Sequence, residues 1–230
     1  MTLQNEHRLS TIRTAGLLCF WTAVLGAASG VFLAFIEPVV PESQWSYPLD
    51  VGAFTVIQVW FAVQHLGLLL GLMALRWTGA LGLGTPGRIA QIVAVACMAA
   101  FAAAELAAIA AAADSQESAL AGLLGVAYGI ISVVLGAALI VAGMAVLRAR
   151  VWKGWRRLIP LALGLWVFVP MLPALALSFT GARFAIAGWM LLFAALGWAL
   201  VRPSAAPERV QAGSGQPSRS RHPSWPNPAP

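Results

Sequence analysis

The chain has 230 residues, of which 60% are hydrophobic and only 10% are charged, and its formal net charge is +6. Soluble domains are roughly a quarter charged, so this composition excludes an ordinary soluble protein and predicts an integral membrane protein. The positive charge does not indicate a nucleic-acid partner, because the cations lie between apolar runs rather than on one folded basic surface.

Six apolar runs predict six membrane-spanning helices, since about 20 apolar residues are enough to cross a bilayer. The predicted spans are 14–36, 51–75, 89–113, 119–147, 158–179 and 184–201. A cleaved signal peptide is the alternative for the first run, with small residues near Ala27 as a cleavage site. The run continues to Ile36, however, which is longer than a signal core and favours an uncleaved span. The predicted fold is therefore an all-α integral membrane protein, a bundle of six transmembrane helices.

The flanking segments differ in composition from the six-helix domain at 14–201. Residues 1–13 form a short polar N-terminus, and residues 37–50 carry acids, prolines and aromatic side chains without Lys or Arg. Residues 202–230 consist mainly of Pro, Ser, Gly, Ala and Arg with no apolar periodicity. Such a segment does not bury enough apolar surface to offset the entropy cost of ordering, so it is predicted to be a disordered tail.

The distribution of Lys and Arg predicts the orientation. Sorting the 14 cations by alternate loops places only Arg183 on one side. The other side holds Arg8, Arg13, Arg76, Arg88, Arg148, Arg150, Lys153, Arg156, Arg157, Arg202, Arg209, Arg219 and Arg221. By the positive-inside rule, the N- and C-termini are both expected to be cytoplasmic, in a multi-pass plasma-membrane protein.

A glycine and an arginine recur with the same spacing at the ends of the even-numbered spans. The three pairs are Gly71 and Arg76, Gly143 and Arg148, and Gly197 and Arg202. This pattern is typical of three helical hairpins in parallel register, an internal repeat. The alternative is that positive-inside topology alone places an arginine at each cytoplasmic end.

The second span carries a polar stripe. Thr55, Gln58, Ala62 and His65 follow helical spacing and share one face, and three of these four residues are polar. Polar side chains within a span are costly against lipid, so the stripe is expected to face protein or water.

Glu105 and His65 are the acid and the base deepest inside the predicted spans, which makes them functional candidates. A rise of 1.5 Å per residue places His65 about 22 Å from Asp50 and Glu105 about 13 Å from Asp114. The gap of about 9 Å predicts that a water molecule or Gln58 bridges the two side chains.

Two interpretations of these residues remain open. In the functional one, Glu105, Gln58, Tyr128, Ser132 and His65 form a polar track that leads protons or a small solute from the outer face toward the centre. In the structural one, a protonated Glu105 bonds to Gln58 or to a backbone carbonyl, and a neutral His65 holds helices together. No cation is expected within the spans to pair with Glu105.

The loop at 148–157 and two prolines give further candidates. The loop carries Arg148, Arg150, Lys153, Arg156 and Arg157 together with Trp152 and Trp155. Clustered cations with interfacial tryptophans suit contact with anionic lipid head groups, although a simple topology anchor is the alternative. Pro170 and Pro173 are expected to kink the fifth span, because proline removes a helical hydrogen bond.

No metal site, cofactor or catalytic residue is predicted. His65 is the one histidine within the spans, and the cysteines, Cys19 and Cys97, lie within apolar runs where a thiol acts as a small hydrophobe. No zinc or haem ligand pattern occurs. Nucleophile and phosphate-loop motifs are also missing, so an enzyme is disfavoured and its status stays uncertain.

The sequence favours a non-enzymatic accessory or scaffold subunit of the membrane, contacting the lipid bilayer and either another membrane protein or a second copy. The alternative is a small proton-linked carrier or channel that uses Glu105 and His65, with the kink at 170–173 as a hinge. A third reading is a lipid-acting enzyme with His65 as base and Glu105 or Tyr128 as acid.

Overall fold

The computed structural model describes residues 2–202, which are mostly helical and contain no β-strand. Six helices in this range are long and apolar enough to cross a membrane: Glu6–Phe35, Val51–Trp77, Thr85–Ala111, Ala119–Ala149, Gly154–Leu177 and Phe179–Val201. The prediction of an all-helical fold with six long apolar helices is thereby confirmed, and these helices are compatible with a membrane bundle. The predicted disordered tail, from residue 203 onward, lies outside the described residues.

Seven α-helices make up these six spans, because the fifth span is divided. They are α1 (Thr2–Phe35), α2 (Val51–Trp77), α3 (Thr85–Ala108), α4 (Ala119–Ala149), α5 (Ile159–Trp166), α6 (Leu172–Leu177) and α7 (Phe179–Val201). A 3₁₀ turn, Ile109–Ala111, extends α3, and another, Gly154–Leu158, precedes α5.

The fifth span is irregular around Pro170. A π-helical turn, Val167–Met171, separates α5 from α6 and contains Pro170, which has no N–H to donate to the preceding turn. Pro173 lies in the first turn of α6, where a missing N–H costs little. The two prolines therefore lie where the regular helical hydrogen bonding changes.

Helix α1 begins about twelve residues before the predicted first span. No Gly or Pro interrupts residues 2–13, so the helix continues into the polar N-terminus. Ile12 is buried, and the Arg8 guanidinium donates to the Trp77 carbonyl at the end of α2. A cation at that position satisfies an otherwise unpaired carbonyl and opposes the negative end of the helix dipole.

Helix α7 also begins earlier than predicted, at Phe179 instead of 184. The Ser178 side chain caps it by accepting a hydrogen bond from the Gly181 N–H at 3.1 Å. This cap satisfies one of the free N–H groups of the first turn. The segment 180–183, predicted as a turn, is therefore helical, and Arg183 lies on α7.

The spans form a closed ring. Each span packs against its neighbours in the chain, and α7 packs against α1 in the most extensive contact of the bundle. Close approach depends on glycine at several crossings. A Cβ atom on Gly197 would lie 2.6 Å from the Gly16 carbonyl oxygen, and one on Gly143 would lie 2.5 Å from the Leu161 Cα. Small residues at such crossings let apolar helices pack without a hydrophobic driving force between them.

The two ends of the bundle differ. The arginine-rich end holds the α2–α3 and α4–α5 connections and the end of α7, and the half of the bundle next to it is a closely packed core. The fully buried side chains in this core include Leu68, Leu72, Leu75, Met98, Leu135, Leu139, Leu163, Phe193 and Leu196.

At the opposite, acidic end, the 37–50 segment folds onto the turn between α3 and α4. The Trp45 N–H donates to the Asp114 carbonyl at 2.9 Å, and the Gln116 N–H donates to the Ser43 carbonyl at 2.7 Å. Gln44 and Ser115 form an isolated antiparallel bridge between them. The 37–50 segment is thus tied to the turn between α3 and α4 by backbone hydrogen bonds.

Candidate functional site

A cavity of about 660 Å³ lies among the helices in the acidic half of the bundle. Its polar lining includes Glu42, Gln58, Gln64, His65, Glu105, Gln116, Tyr128, Ser132 and Arg183. Its aromatic lining includes Trp45, Tyr47, Phe54, Phe61, Phe101, Phe179 and Trp189. Glu42 and Gln116 are exposed, so the mouth of the cavity lies at the acidic end.

Glu105 connects three helices at the wall of this cavity. Its Oε2 accepts hydrogen bonds from the Gln58 Nε2 at 3.0 Å and from the Tyr128 hydroxyl at 2.8 Å. Gln58 also donates to the Glu105 backbone carbonyl at 3.3 Å. The carboxyl group of α3 is therefore held by neutral donors from α2 and α4, and one of its two oxygens carries both bonds.

The hydrogen bonding of His65 fixes its tautomer. Nδ1 lies 2.8 Å from the Phe61 carbonyl oxygen, and a carbonyl only accepts, so Nδ1 carries the proton. In a neutral ring Nε2 is then an acceptor. The ring stacks on Phe101 with centroids 5.1 Å apart, which fixes the imidazole plane.

His65 and Glu105 lie much closer together than the helical rise predicts. The His65 Nδ1 is 3.7 Å from the Glu105 Oε1, against a predicted gap of about 9 Å. The Cα–Cβ bond tilts toward the N-terminus of a helix, and α2 begins at the acidic end whereas α3 begins at the arginine-rich end. His65 therefore reaches toward the mouth while Glu105 reaches inward, and the two side chains meet at one level.

Arg183 was not expected in the site, because the sequence pattern placed it in a loop. The Ser178 cap brings it onto α7, where it lines the same cavity as Glu105. Its guanidinium lies 4.7 Å from the centre of the Phe179 ring, and Tyr47 packs edge-on against that ring at 5.2 Å. The expectation that no cation lies within the spans was wrong.

Gln64 is a second residue that the polar stripe did not include. Its side chain is 1% exposed and lines the cavity. The Gln64 Nε2 donates to the Met190 Sδ at 3.3 Å. Gly26 on α1 makes room for the amide, because a Cβ at that position would overlap Gln64. The sequence shows a glutamine directly before His65 within the predicted span, and this position was the available signal that Gln64 belongs to the site.

Of Ser132 and Thr55, the two hydroxyl residues predicted for the site, only Ser132 lines the cavity. Ser132 lines the cavity and donates to the Tyr128 carbonyl at 2.8 Å. Thr55 donates to the Val51 carbonyl at 2.7 Å and is not part of the cavity lining. Both hydroxyls are satisfied within their own helix, so neither is held ready as a donor.

The 148–157 segment lies at the arginine-rich end, away from the cavity. Arg150 ends α4 in the left-handed conformation with φ of 54°. Trp152 is 3% exposed and packs in the core, whereas Trp155 is 47% exposed. Trp152 thus packs among protein side chains, and Trp155 is the exposed tryptophan of this segment.

The polar groups of the cavity are arranged for binding. Acceptors lie deep on α2 and α3, a guanidinium lies on α7, and aromatic rings form much of the remaining wall. Ligand pockets commonly combine an apolar lining with a few convergent polar groups. Within residues 2–202, no group of three or more His, Cys, Asp or Glu side chains is placed to hold a metal ion.

Comparison with known proteins adds no family to this description. No protein-family model, curated protein or solved structure matches this chain.

Proposed function

We propose that this protein is a small membrane carrier that binds a polar solute in the acidic-end cavity. The observation that supports it best is the Glu105 carboxyl group at the wall of a roughly 660 Å³ cavity, held by Gln58 and Tyr128 and lying 3.7 Å from His65. Ionisable residues within spans are costly against lipid and mark solute or ion pathways.

The closed half of the bundle agrees with a carrier better than with an open pore. Below the cavity, Leu72, Leu139 and Phe193 are among the fully buried side chains that fill the arginine-rich half. A carrier exposes its site to one side at a time, with the site near the middle of the membrane. In this proposal the irregular turn at Pro170 is the hinge between conformations.

The accessory or scaffold role stays as the second candidate, and one observation favours it. The bonds from Gln58 and Tyr128 to Glu105 join α2, α3 and α4, as expected for polar groups that hold helices together. The same geometry therefore serves a structural role, and transport must be measured to separate the two functions.

We further propose a plasma-membrane location with the arginine-rich end in the cytoplasm, on the charge distribution of the sequence. The exposed cations Arg148, Arg150, Lys153 and Arg157, with Trp155 beside them, suit contact with anionic head groups on that side.

The internal repeat belongs to the same proposal, because carriers are often built from repeats. Gly143 on α4 packs against α5, and Gly197 on α7 packs against α1, so each faces the span that follows it around the ring. Gly71 on α2 packs against Cys19 on the preceding span. Two of the three hairpins thus support a parallel register, and the third departs from it.

Uptake into proteoliposomes tests the carrier proposal. We expect the purified protein, under an inward proton gradient, to accumulate at least one labelled solute from a panel of amino acids, dipeptides, quaternary amines and sugars. Protein-free liposomes and liposomes treated with a protonophore are the controls. Accumulation equal to that of empty liposomes across the panel would contradict a carrier and leave the accessory role.

Cysteine labelling tests where the cavity opens. In a variant without Cys19 and Cys97, we expect Ser132→Cys to react with a small water-soluble thiosulfonate, because Ser132 lines the cavity. Leu139→Cys is the matched control, two turns along α4 in the closely packed core and 1% exposed. Equal labelling of the two positions would contradict a cavity that is closed at the arginine-rich end. Labelling of intact cells from outside reports the orientation.

A further inference from the structure

We propose that the ligand of this cavity is a short zwitterionic peptide of dipeptide length, with its ammonium group deep at Glu105 and its carboxylate near the mouth at Arg183. The inference rests on the proposed solute site and names its ligand class. It follows from the free hydrogen-bonding capacity of Glu105 and Arg183, from the depths of these residues on their helices, and from the aromatic lining of the cavity.

The deep end offers acceptors. Within the described residues, both hydrogen bonds to the Glu105 carboxyl group reach Oε2, which leaves Oε1 without a donor. The nearby His65 uses Nδ1 to donate to Phe61, so its Nε2 is an acceptor in the neutral ring. The free carboxylate oxygen suits an ammonium group, which has three N–H donors and a positive charge.

The end near the mouth offers donors. Arg183 forms no ion pair with the part of the chain that the structure describes, and its guanidinium packs against the Phe179 ring. Five N–H donors on a planar fork match the two oxygens of a carboxylate. Because Phe179 is one turn nearer the start of α7, Arg183 extends toward the mouth.

The depths of Glu105 and Arg183 on their helices favour a ligand longer than a free α-amino acid. Arg183 lies five residues into α7 from Ser178, and Glu105 lies nine residues from Asp114. With Ser178 and Asp114 taken as one level, the Cα atoms of Arg183 and Glu105 differ in depth by roughly 6 Å at 1.5 Å per residue. The opposite Cβ tilts of α3 and α7 increase this separation. An extended chain spans about 3.3–3.6 Å per residue, so two residues cover roughly 7 Å.

Much of the cavity wall is aromatic. Phe54, Phe61, Phe101 and Trp189 line the cavity, and its volume of about 660 Å³ exceeds the need of a single small amino acid. Apolar side chains of the ligand therefore have room to pack against aromatic rings. We expect peptides such as Ala-Phe to bind better than dialanine.

Binding of labelled Ala-Phe to the detergent-purified protein is the test. We expect saturable binding of Ala-Phe, with N-acetyl-Ala-Phe and Ala-Phe-amide each at least roughly tenfold weaker, since each loses one charged hydrogen-bonded group. Free phenylalanine should also bind at least roughly tenfold more weakly, because it cannot reach both ends.

Two variants test which residue binds each end of the peptide. In Glu105→Gln, Ala-Phe and N-acetyl-Ala-Phe should bind equally, while discrimination against the amide remains. In Arg183→Gln, Ala-Phe and Ala-Phe-amide should bind equally, while discrimination against the acetylated peptide remains. Glu117→Gln and Arg88→Gln are the controls, because both residues are exposed and outside the cavity lining, and neither should change any preference.

Several results would overturn the inference. One is that Ala-Phe does not bind to protein whose thermal transition shows that it is folded. Another is that phenylalanine binds as tightly as Ala-Phe. A third is that the blocked peptides bind as well as the free peptide. Binding of Ala-Phe without uptake would support this ligand and contradict the carrier proposal. Uptake of another solute without peptide binding would contradict this ligand and support the carrier.

Discussion

Gly143→Ala should lower the stability of the bundle by about 3 kcal/mol, at the upper end of the range for overpacking a well-packed core. An added Cβ would lie 2.5 Å from the Leu161 Cα, and the neighbouring Leu161 backbone nitrogen is also too close. Backbone atoms cannot rotate away as a flexible side chain can, so α4 and α5 must separate. The measurement is the thermal unfolding midpoint of the purified protein in detergent.

Gly129→Ala on the same helix is the matched control. Nothing lies within 4 Å of the Cβ position at Gly129, so the added methyl group meets no neighbour. Alanine is favoured over glycine within a helix by about 1 kcal/mol, and we expect no loss or a small gain in stability. A similar unfolding midpoint for Gly143→Ala and the native protein would show that α4 and α5 do not pack as closely as described.

The six spans were predictable because bilayer insertion depends on long apolar runs, which the sequence shows directly. The helix ends were less predictable, since they depend on local capping. At Ser178 a single serine hydroxyl begins α7 five residues before the predicted start. At the N-terminus, the Arg8 contact with Trp77 pairs residues far apart in the chain, and helical periodicity carries no information on such a pair.

The candidate site was predictable only where one helix determines it. Gln58 and His65 share a face of α2, and helical spacing shows this without any neighbour. Arg183 was missed because its place depends on the cap of α7, and Gln64 because it lies off the stripe. The separation of His65 and Glu105 was overestimated because helical rise gives Cα depth, whereas contact depends on the opposite side-chain tilts of α2 and α3.

Glu105→Gln should reduce uptake of the transported solute by roughly a hundredfold or more. Removing the Glu105 carboxylate leaves the ammonium group of the proposed ligand without its charged partner in the binding site, which costs about 3–5 kcal/mol. The fold should persist. Glutamine has nearly the same shape as glutamate, and its carbonyl oxygen can accept the bonds from Gln58 and Tyr128 that now reach the Glu105 Oε2.

Tyr128→Phe separates charge from hydrogen bonding in the same experiment. It removes the 2.8 Å bond to Glu105 and keeps the ring, so a loss of about 1–3 kcal/mol, and at most roughly a hundredfold, is expected. Uptake and the unfolding midpoint are measured together for both variants. A carrier requires that Glu105→Gln loses uptake with its unfolding midpoint retained. A lower midpoint with normal uptake would instead identify Glu105 as a residue that holds α2, α3 and α4 together.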